Sequence, residues 1–322
     1  MAGGYTLRLD PWAPEYEGSI QLTSDDGGGQ PVDAAVEQAR WEAIRPADAA
    51  RPRVVAFVDG VRRVEHRLLV TRGTRTAFGL LGSYGVGAVR VEGVARVSDA
   101  LVGRAVVVSG GEAVDPFVAV VGDGRLTVLF EPESVPENDP AAPLAGLQAK
   151  MRRSEAGVAE RIAAEVDVVF QDGPLTFVNA ARHGCVVGFV KRLQQQYLEP
   201  AAEALLPRLD VGERTPLFLI PGKAARYSWY QRIAFGRAIE SALAGVVRLE
   251  APAERGLAEA IRLADLSARE IPRFASSAAR DPRAPQNLHP IGGLESRLKH
   301  LLGDPLLLRR AIEASLHSEV TA

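Results

Sequence analysis

The chain has a single cysteine, Cys185, in 322 residues. No internal disulfide can form, and a Cys-His zinc cluster is excluded. A reducing, cytoplasmic setting is expected. Lysine is also scarce: of 38 basic residues only Lys150, Lys191, Lys223 and Lys299 are lysine, and the rest are arginine. A GC-rich coding sequence produces such a bias, and so does a need for bidentate phosphate contact, which the planar guanidinium suits. Three tryptophans and 6% aromatic residues leave no aromatic platform for binding sugars. No run of about 18 apolar residues occurs, so no membrane-spanning helix is expected. The opening MAGGYTLRLDPW lacks the basic region and apolar core of a signal peptide. Excess charge is missing too. The formal net charge is −2, which excludes a basic coat for nucleic acid but leaves room for a local basic groove.

Against these absences, 47% hydrophobic and 24% charged residues are ordinary globular values. The length suits about two domains at roughly 150 residues each. Helical spacing of Val32, Ala35, Val36 and Ala39, followed by Trp41, predicts an early helix. The apolar run 53–58 reads as a buried strand. Residues 62–130 alternate short valine-rich runs with glycine and read as antiparallel hairpins. A proline-rich acidic linker follows at 131–143, then a helix at 151–166 and strands at 166–171, 186–190, 217–220 and 246–251. Residues 193–206 read as a broken helical region, and 236–245 suit either strand or helix. Helices are expected at 255–269, 294–302 and 305–317, with a polar loop at 276–289. Strands alternating with helices argue for an α/β core.

Two apolar strands end alike, in Phe-Val-Asp59-Gly60 and Phe-Gln-Asp172-Gly173. An aspartate just beyond a buried strand lies where open α/β sheets place their sites, and the glycine permits a tight turn. An Asp-Gly turn alone explains either one; two in one sheet suggest chemistry. Glu155 precedes Val158 and Ala159 by three and four residues, on the apolar stripe of its helix. A glutamate there needs a partner, a metal or a route to solvent. Three acids without cysteine suit a hard divalent ion such as Mn²⁺ or Mg²⁺, which assists phosphodiester hydrolysis. Paired carboxylates also serve glycoside hydrolysis, a reading weakened by the few aromatics.

In 221–232, PGKAARYSWYQR, basic and aromatic residues interleave. Arg226 and Arg232 are candidates for phosphate contact, and Tyr227 and Trp229 for base stacking; a connector with buried aromatics fits the same composition. Lys191 and Arg192 follow the strand 186–190 as surface charges or phosphate contacts. His289, in the polar segment QNLHPI, is a candidate general acid/base or a surface residue. Cys185 reads as a small core residue. No Walker loop, Rossmann glycine pattern or nucleophile elbow is present, and GSYGVG at 82–87 matches none of them.

In order, FVDGVRR at 57–63, the Glu155 helix leading to VVFQDGPL at 168–175, GFVKRL at 188–193, RYSWYQRI at 226–233 and QNLHPIGGLE at 286–295 resemble the NurA nuclease family. RLDPW at 8–12 is similar to its bacterial branch. The resemblance spans most of the chain. It implies an RNase H-like, PIWI-like mixed sheet flanked by helices. Residues 1–60 would carry the first core strand, 61–143 a β-rich insertion and linker, and 144–322 the rest of the core with C-terminal helices. It further implies a Mn²⁺-dependent 5′-to-3′ exonuclease and single-strand endonuclease, a homodimer docked on the hexameric HerA translocase, and a role in DNA end resection for recombination repair. The family's metal carboxylates fall on Asp59, Glu155 and Asp172. Archaeal members carry a tyrosine eight residues before a histidine near the C-terminus. Here Asp281 stands eight residues before His289, so a catalytic role for His289 does not follow from the match. Two other readings stay open: a catalytically silent adaptor that docks a translocase, and a metal phosphohydrolase acting on small phosphate esters.

Overall fold

A computed structural model describes residues 5–9 and 32–321, apart from 123–125, 179–184, 192, 194, 223, 278, 280 and 282. Residues Arg192 and Lys223 lie outside that set. One mixed sheet organises the chain. Its strands are β1 (Tyr5–Leu9), β2 (Val55–Arg72), β3 (Arg75–Glu92), β4 (Val94–Val108), β5 (Phe117–Val121), β6 (Leu126–Ser134), β7 (Val168–Asp172), β8 (Val186–Val190), β9 (Phe218–Ile220), β10 (Arg226–Arg232) and β11 (Val246–Pro252). They lie in the order β5-β6-β4-β3-β2-β7-β8-β11-β10-β9, and β1 pairs with β2. β2, β3 and β4 form an antiparallel meander, and β2, β7 and β8 run parallel.

The strand expected at 53–58 continues to residue 72, because β3 pairs along it from Val55↔Val91 to Arg72↔Arg75. Gly73, at φ +59°, makes the return turn. The boundary expected at residues 60/61 therefore falls inside β2, and the valine-glycine region extends the central sheet.

The helices are α1 (Ala142–Ile162), α2 (Pro200–Glu203), α3 (Leu257–Glu270), α4 (His289–Leu301) and α5 (Pro305–Thr321). Among the described residues no helix is long and apolar enough to cross a membrane. Strand residues alternate between the two faces of the sheet. Ala56, Val58 and Val169 pack under Leu144, Leu147, Val158 and Ile162 of α1. Val55, Phe57, Phe170, Val187 and Phe189 face Leu263 and Ala264 of α3, Leu288, and Ile291 of α4. The GSYGVG segment lies inside β3 and serves this packing. A side chain at Gly82 would meet Leu147 of α1, whereas one at Gly87 would stand 3.2 Å from Leu294 of α4.

Several expectations are corrected. Residues 32–41 form no helix. The backbone of Asp33 pairs with Leu219 and that of Ile44 with Arg214, and the Asp33 carboxylate accepts the Ala35 N–H, which favours a turn. Their apolar side chains still bury, with Trp41 against Phe218. α1 begins nine residues earlier than expected, with proline in its first turn. Residues 236–245 form turns. The basic-aromatic segment is strand β10, and His289 opens α4.

Candidate functional site

β2 and β7 pair only as far as Val58↔Gln171. The strands part where Asp59 and Asp172 stand. Each aspartate lies two residues beyond a core phenylalanine, Phe57 or Phe170, and Lys191 lies two beyond Phe189 of β8. By alternation, all three side chains share the face covered by α4. Glu155 comes from α1 on the opposite face. It reaches the same strand ends because Gly60 has no side chain: a Cβ there would stand 2.5 Å from Glu155 Oε1. Gly173, at φ +91°, leaves similar room for Arg152, whose guanidinium lies 3.3–3.5 Å from where a Cβ would be. The glycine of each Asp-Gly pair thus opens the sheet towards α1, while its aspartate points to the other face.

Asp59 is 5% exposed and Glu155 3%. Neither accepts a hydrogen bond from a described residue. Burial, then the Asp172 carboxylate, pushes the Asp59 carboxyl well above its ordinary value; Lys191 opposes this, and Glu155 and Glu295 add to it. Burial likewise raises Glu155 to about 8, with Arg152 and Lys191 opposing and Asp172 adding. Burial alone would lower the Lys191 ammonium, but Asp172 and Asp59 outweigh it and hold the pKa above its ordinary value. Its Nζ donates to Asp172 Oδ2 at 3.0 Å and to Asn287 Oδ1 at 2.8 Å. Asn287 is fully buried and donates in turn to Asp281 Oδ2 at 2.5 Å. Arg283 ties Asp281 to Glu295 of α4.

Asn287, not His289, therefore links the C-terminal segment to the carboxylates, and His289 is exposed on α4. Both residues lie in the polar segment read from the sequence; the start of α4 decides which one turns inward. Glu250 was missed as well. It is fully buried, accepts the Leu175 N–H at 2.6 Å just after Gly173, and meets Arg248 and Arg226. A lone glutamate in the apolar strand VVRLEAP was the available signal. The β10 candidates for DNA contact are turned to internal work, because β9 and β11 flank that strand. Trp229 is wholly buried and donates to Ser267. Arg232 donates to the carbonyls of Leu209, Ala242 and Ala244. Arg226 is buried against Glu250, and Tyr227 packs on the core. Burial removes Arg226, Trp229 and Arg232 from the set able to touch a nucleic acid.

Among the described residues, no group of three or more His, Cys, Asp or Glu side chains is placed to hold a metal ion. Asp59 and Glu155 are buried, and Asp172 is near enough for its charge to act on both. Burial makes the charged form of such groups costly, and Lys191 and Arg152 offset part of that cost.

No protein-family model matches the chain, and no curated protein matches it. Among solved structures the chain is similar to the crystal structure of the NurA nuclease from Sulfolobus solfataricus, with 11% identity over 87% of each chain and a TM-score of 0.46.

Proposed function

We propose that this protein is a metal-dependent nuclease acting on DNA. The observation that carries the proposal is two buried carboxylates, Asp59 and Glu155, within reach of the charge of Asp172 where β2 and β7 part. Asp59 and Asp172 would hold a Mn²⁺ or Mg²⁺ ion, with Glu155 supporting it across Gly60. Such an ion supplies an activated water and neutralises charge on the leaving oxygen of a phosphodiester. Lys191 orients Asp172 and has a third N–H to offer a phosphate oxygen. Asn287 holds Lys191 in place. Asp281, Arg283 and Asn287 link Lys191 to Glu295 of α4 by hydrogen bonds.

The mixed sheet flanked by helices supports the RNase H-like part of this reading. The sequence resemblance to the NurA family supplies its finer content: 5′-to-3′ exonuclease and single-strand endonuclease activity, a homodimer, a HerA-type hexameric partner, and DNA end resection. The direct test incubates end-labelled single- and double-stranded DNA with the protein in Mn²⁺ or in EDTA, beside a generic phosphate monoester. Metal-dependent release of label from DNA alone is expected. Turnover of the monoester without DNA cleavage would replace the nuclease by a small-ester phosphohydrolase.

A further inference from the structure

Beyond Val58, no described strand pairs with β2 on its β7 side until β1 takes up the pairing at Leu68. Helix α1 lies over the start of that gap. Its Glu155 sits above Gly60, and its Arg152 above Gly173 at the end of β7. One turn earlier in α1, Gln148 accepts the Arg62 Nε–H at 2.6 Å. That bond holds Arg62 on the α1 face, two residues beyond Gly60. The arginines next in sequence are paired with acids: Arg63 with Glu65 at 2.9 Å, and Arg153 with Glu133 at 2.7 Å. Arg62 and Arg152 are half-buried, and neither makes an ion pair with a described residue. Arg152 Nη1 is buried with no hydrogen-bond partner. Glu155 feels the Arg152 charge, but no hydrogen bond or ion pair joins the two. Burial pulls the Arg62 guanidinium below its ordinary value, and no carboxylate opposes it.

Half-buried cations without acids cost free energy that an arriving anion recovers. We propose that Arg62 and Arg152 form a phosphate clamp that grips the DNA backbone from the α1 side of the strand ends. This rests on the nuclease reading given above and adds to it the place where the substrate strand is held. A phosphodiester offers two unesterified oxygens, which the planar guanidinium fork meets pairwise. Arg62 spends one of its five N–H donors on Gln148 and keeps both Nη groups for the ligand. Arg152 keeps its whole fork. Lys191 stands beside Asp172 on the α4 side, so a strand entering here meets cations from both faces of the sheet. The ligand is a chain of phosphates and not a single one: Arg62 lies about 7 Å along β2 from Gly60, whereas Arg152 stands at the end of β7.

The test measures binding of fluorescently labelled single-stranded DNA by anisotropy, in EDTA, over a series of salt concentrations. Wild type is expected to bind with an affinity that falls as salt rises. Arg62→Met combined with Arg152→Met should bind at least about tenfold more weakly. The slope of log affinity against log salt should also fall by about 0.7 for each arginine removed, which a merely structural role would not produce. Arg62→Lys combined with Arg152→Lys, which keeps the charges, should keep the slope. Arg153→Ala, which removes a paired charge from the same helix, should change neither affinity nor slope. Arg62→Gln combined with Arg152→Gln takes the place of the methionine variant should that one fail to fold. Wild-type affinity and slope in the neutral variants, with wild type still cleaving in Mn²⁺, overturn the clamp and leave the nuclease reading standing. Binding that requires a 5′-phosphate on the DNA, or that inorganic phosphate abolishes at constant ionic strength, also overturns it, because the ligand is then a terminal or free phosphate. A wild type that neither binds nor cleaves DNA overturns the nuclease reading, and this inference with it.

Discussion

Asp59 is a buried carboxylate beside two others, which destabilises a fold unless something is gained elsewhere. Gly60 is the other half of the same device. Gly60→Ala would place a methyl group 2.5 Å from Glu155 Oε1, so Glu155 must withdraw from the strand ends. DNA cleavage by Gly60→Ala is expected to fall by at least about tenfold, the scale seen when groups supporting a metal are displaced. Circular dichroism should stay native. Wild-type cleavage by this variant would remove Glu155 from the site. Gly157, on the same helix, has nothing within 4 Å of a built Cβ. Gly157→Ala is therefore expected to leave cleavage unchanged and to raise stability by roughly 0.5–1 kcal/mol, the usual gain from replacing a mid-helix glycine. Urea unfolding measures it. At this scale the sequence was informative where alternation governs. Asp59 and Asp172 follow core phenylalanines by two residues, so their face could be read. The role of Asn287 could not, because it depends on the residue at which α4 begins. Glu155 was legible from its helical stripe, but its passage across Gly60 was not, since that depends on how α1 packs over β2.

Among the elements, β10 diverges most from its sequence reading. Interleaved arginines and aromatics have the same composition in a nucleic-acid surface and in an internal strand whose arginines satisfy carbonyls. Position between β9 and β11, a long-range property of the sheet, separates the two. Trp229→Ala is expected to cost about 3–5 kcal/mol of folding stability, as other large aromatic truncations in cores do. Its DNA affinity, measured where the variant remains folded, should be unchanged. A selective loss of DNA binding without loss of stability would return Trp229 to the surface. The segment before α4 is the other element with a clear consequence. Burial alone would raise Asp281, but the hydrogen bonds from Arg283 and Asn287 outweigh it and hold the carboxyl at about 2, below its ordinary 3.8. Since the folded value is the lower one, the stability Asp281 contributes is present above pH 3.8 and is lost as pH falls towards 2. Asp281→Asn should therefore be less stable than wild type at pH 5, with the gap closing towards pH 2. Urea midpoints across that range decide it; a gap that does not change with pH would show that the carboxylate contributes no charge-dependent stability.

Over the whole molecule, the α/β class and the approximate positions of most later strands were legible, because apolar runs bounded by glycine and proline mark buried strands whatever their neighbours. The continuity of the sheet was not. Glycines in the valine-rich region suggested many short hairpins, yet Gly82 and Gly87 lie inside one long strand, where they let α1 and α4 approach. Local pattern shows where a residue without a side chain occurs; only the packing partner shows why. That continuity carries Asp59 on a long strand paired on both sides up to the gap, so the site is held by the sheet and not by a loop. The measurement that bears most directly on the nuclease assignment is cleavage of end-labelled single-stranded DNA in Mn²⁺ by Asp59→Asn beside wild type, with the melting temperature of each sample recorded. Wild type is expected to cleave. Asp59→Asn should lose more than about a hundredfold of that activity while its metal-free melting temperature stays equal or rises, because a carboxyl desolvated by burial and set beside Asp172 and Glu155 becomes a neutral amide. Retained Mn²⁺-dependent cleavage by Asp59→Asn would contradict the site.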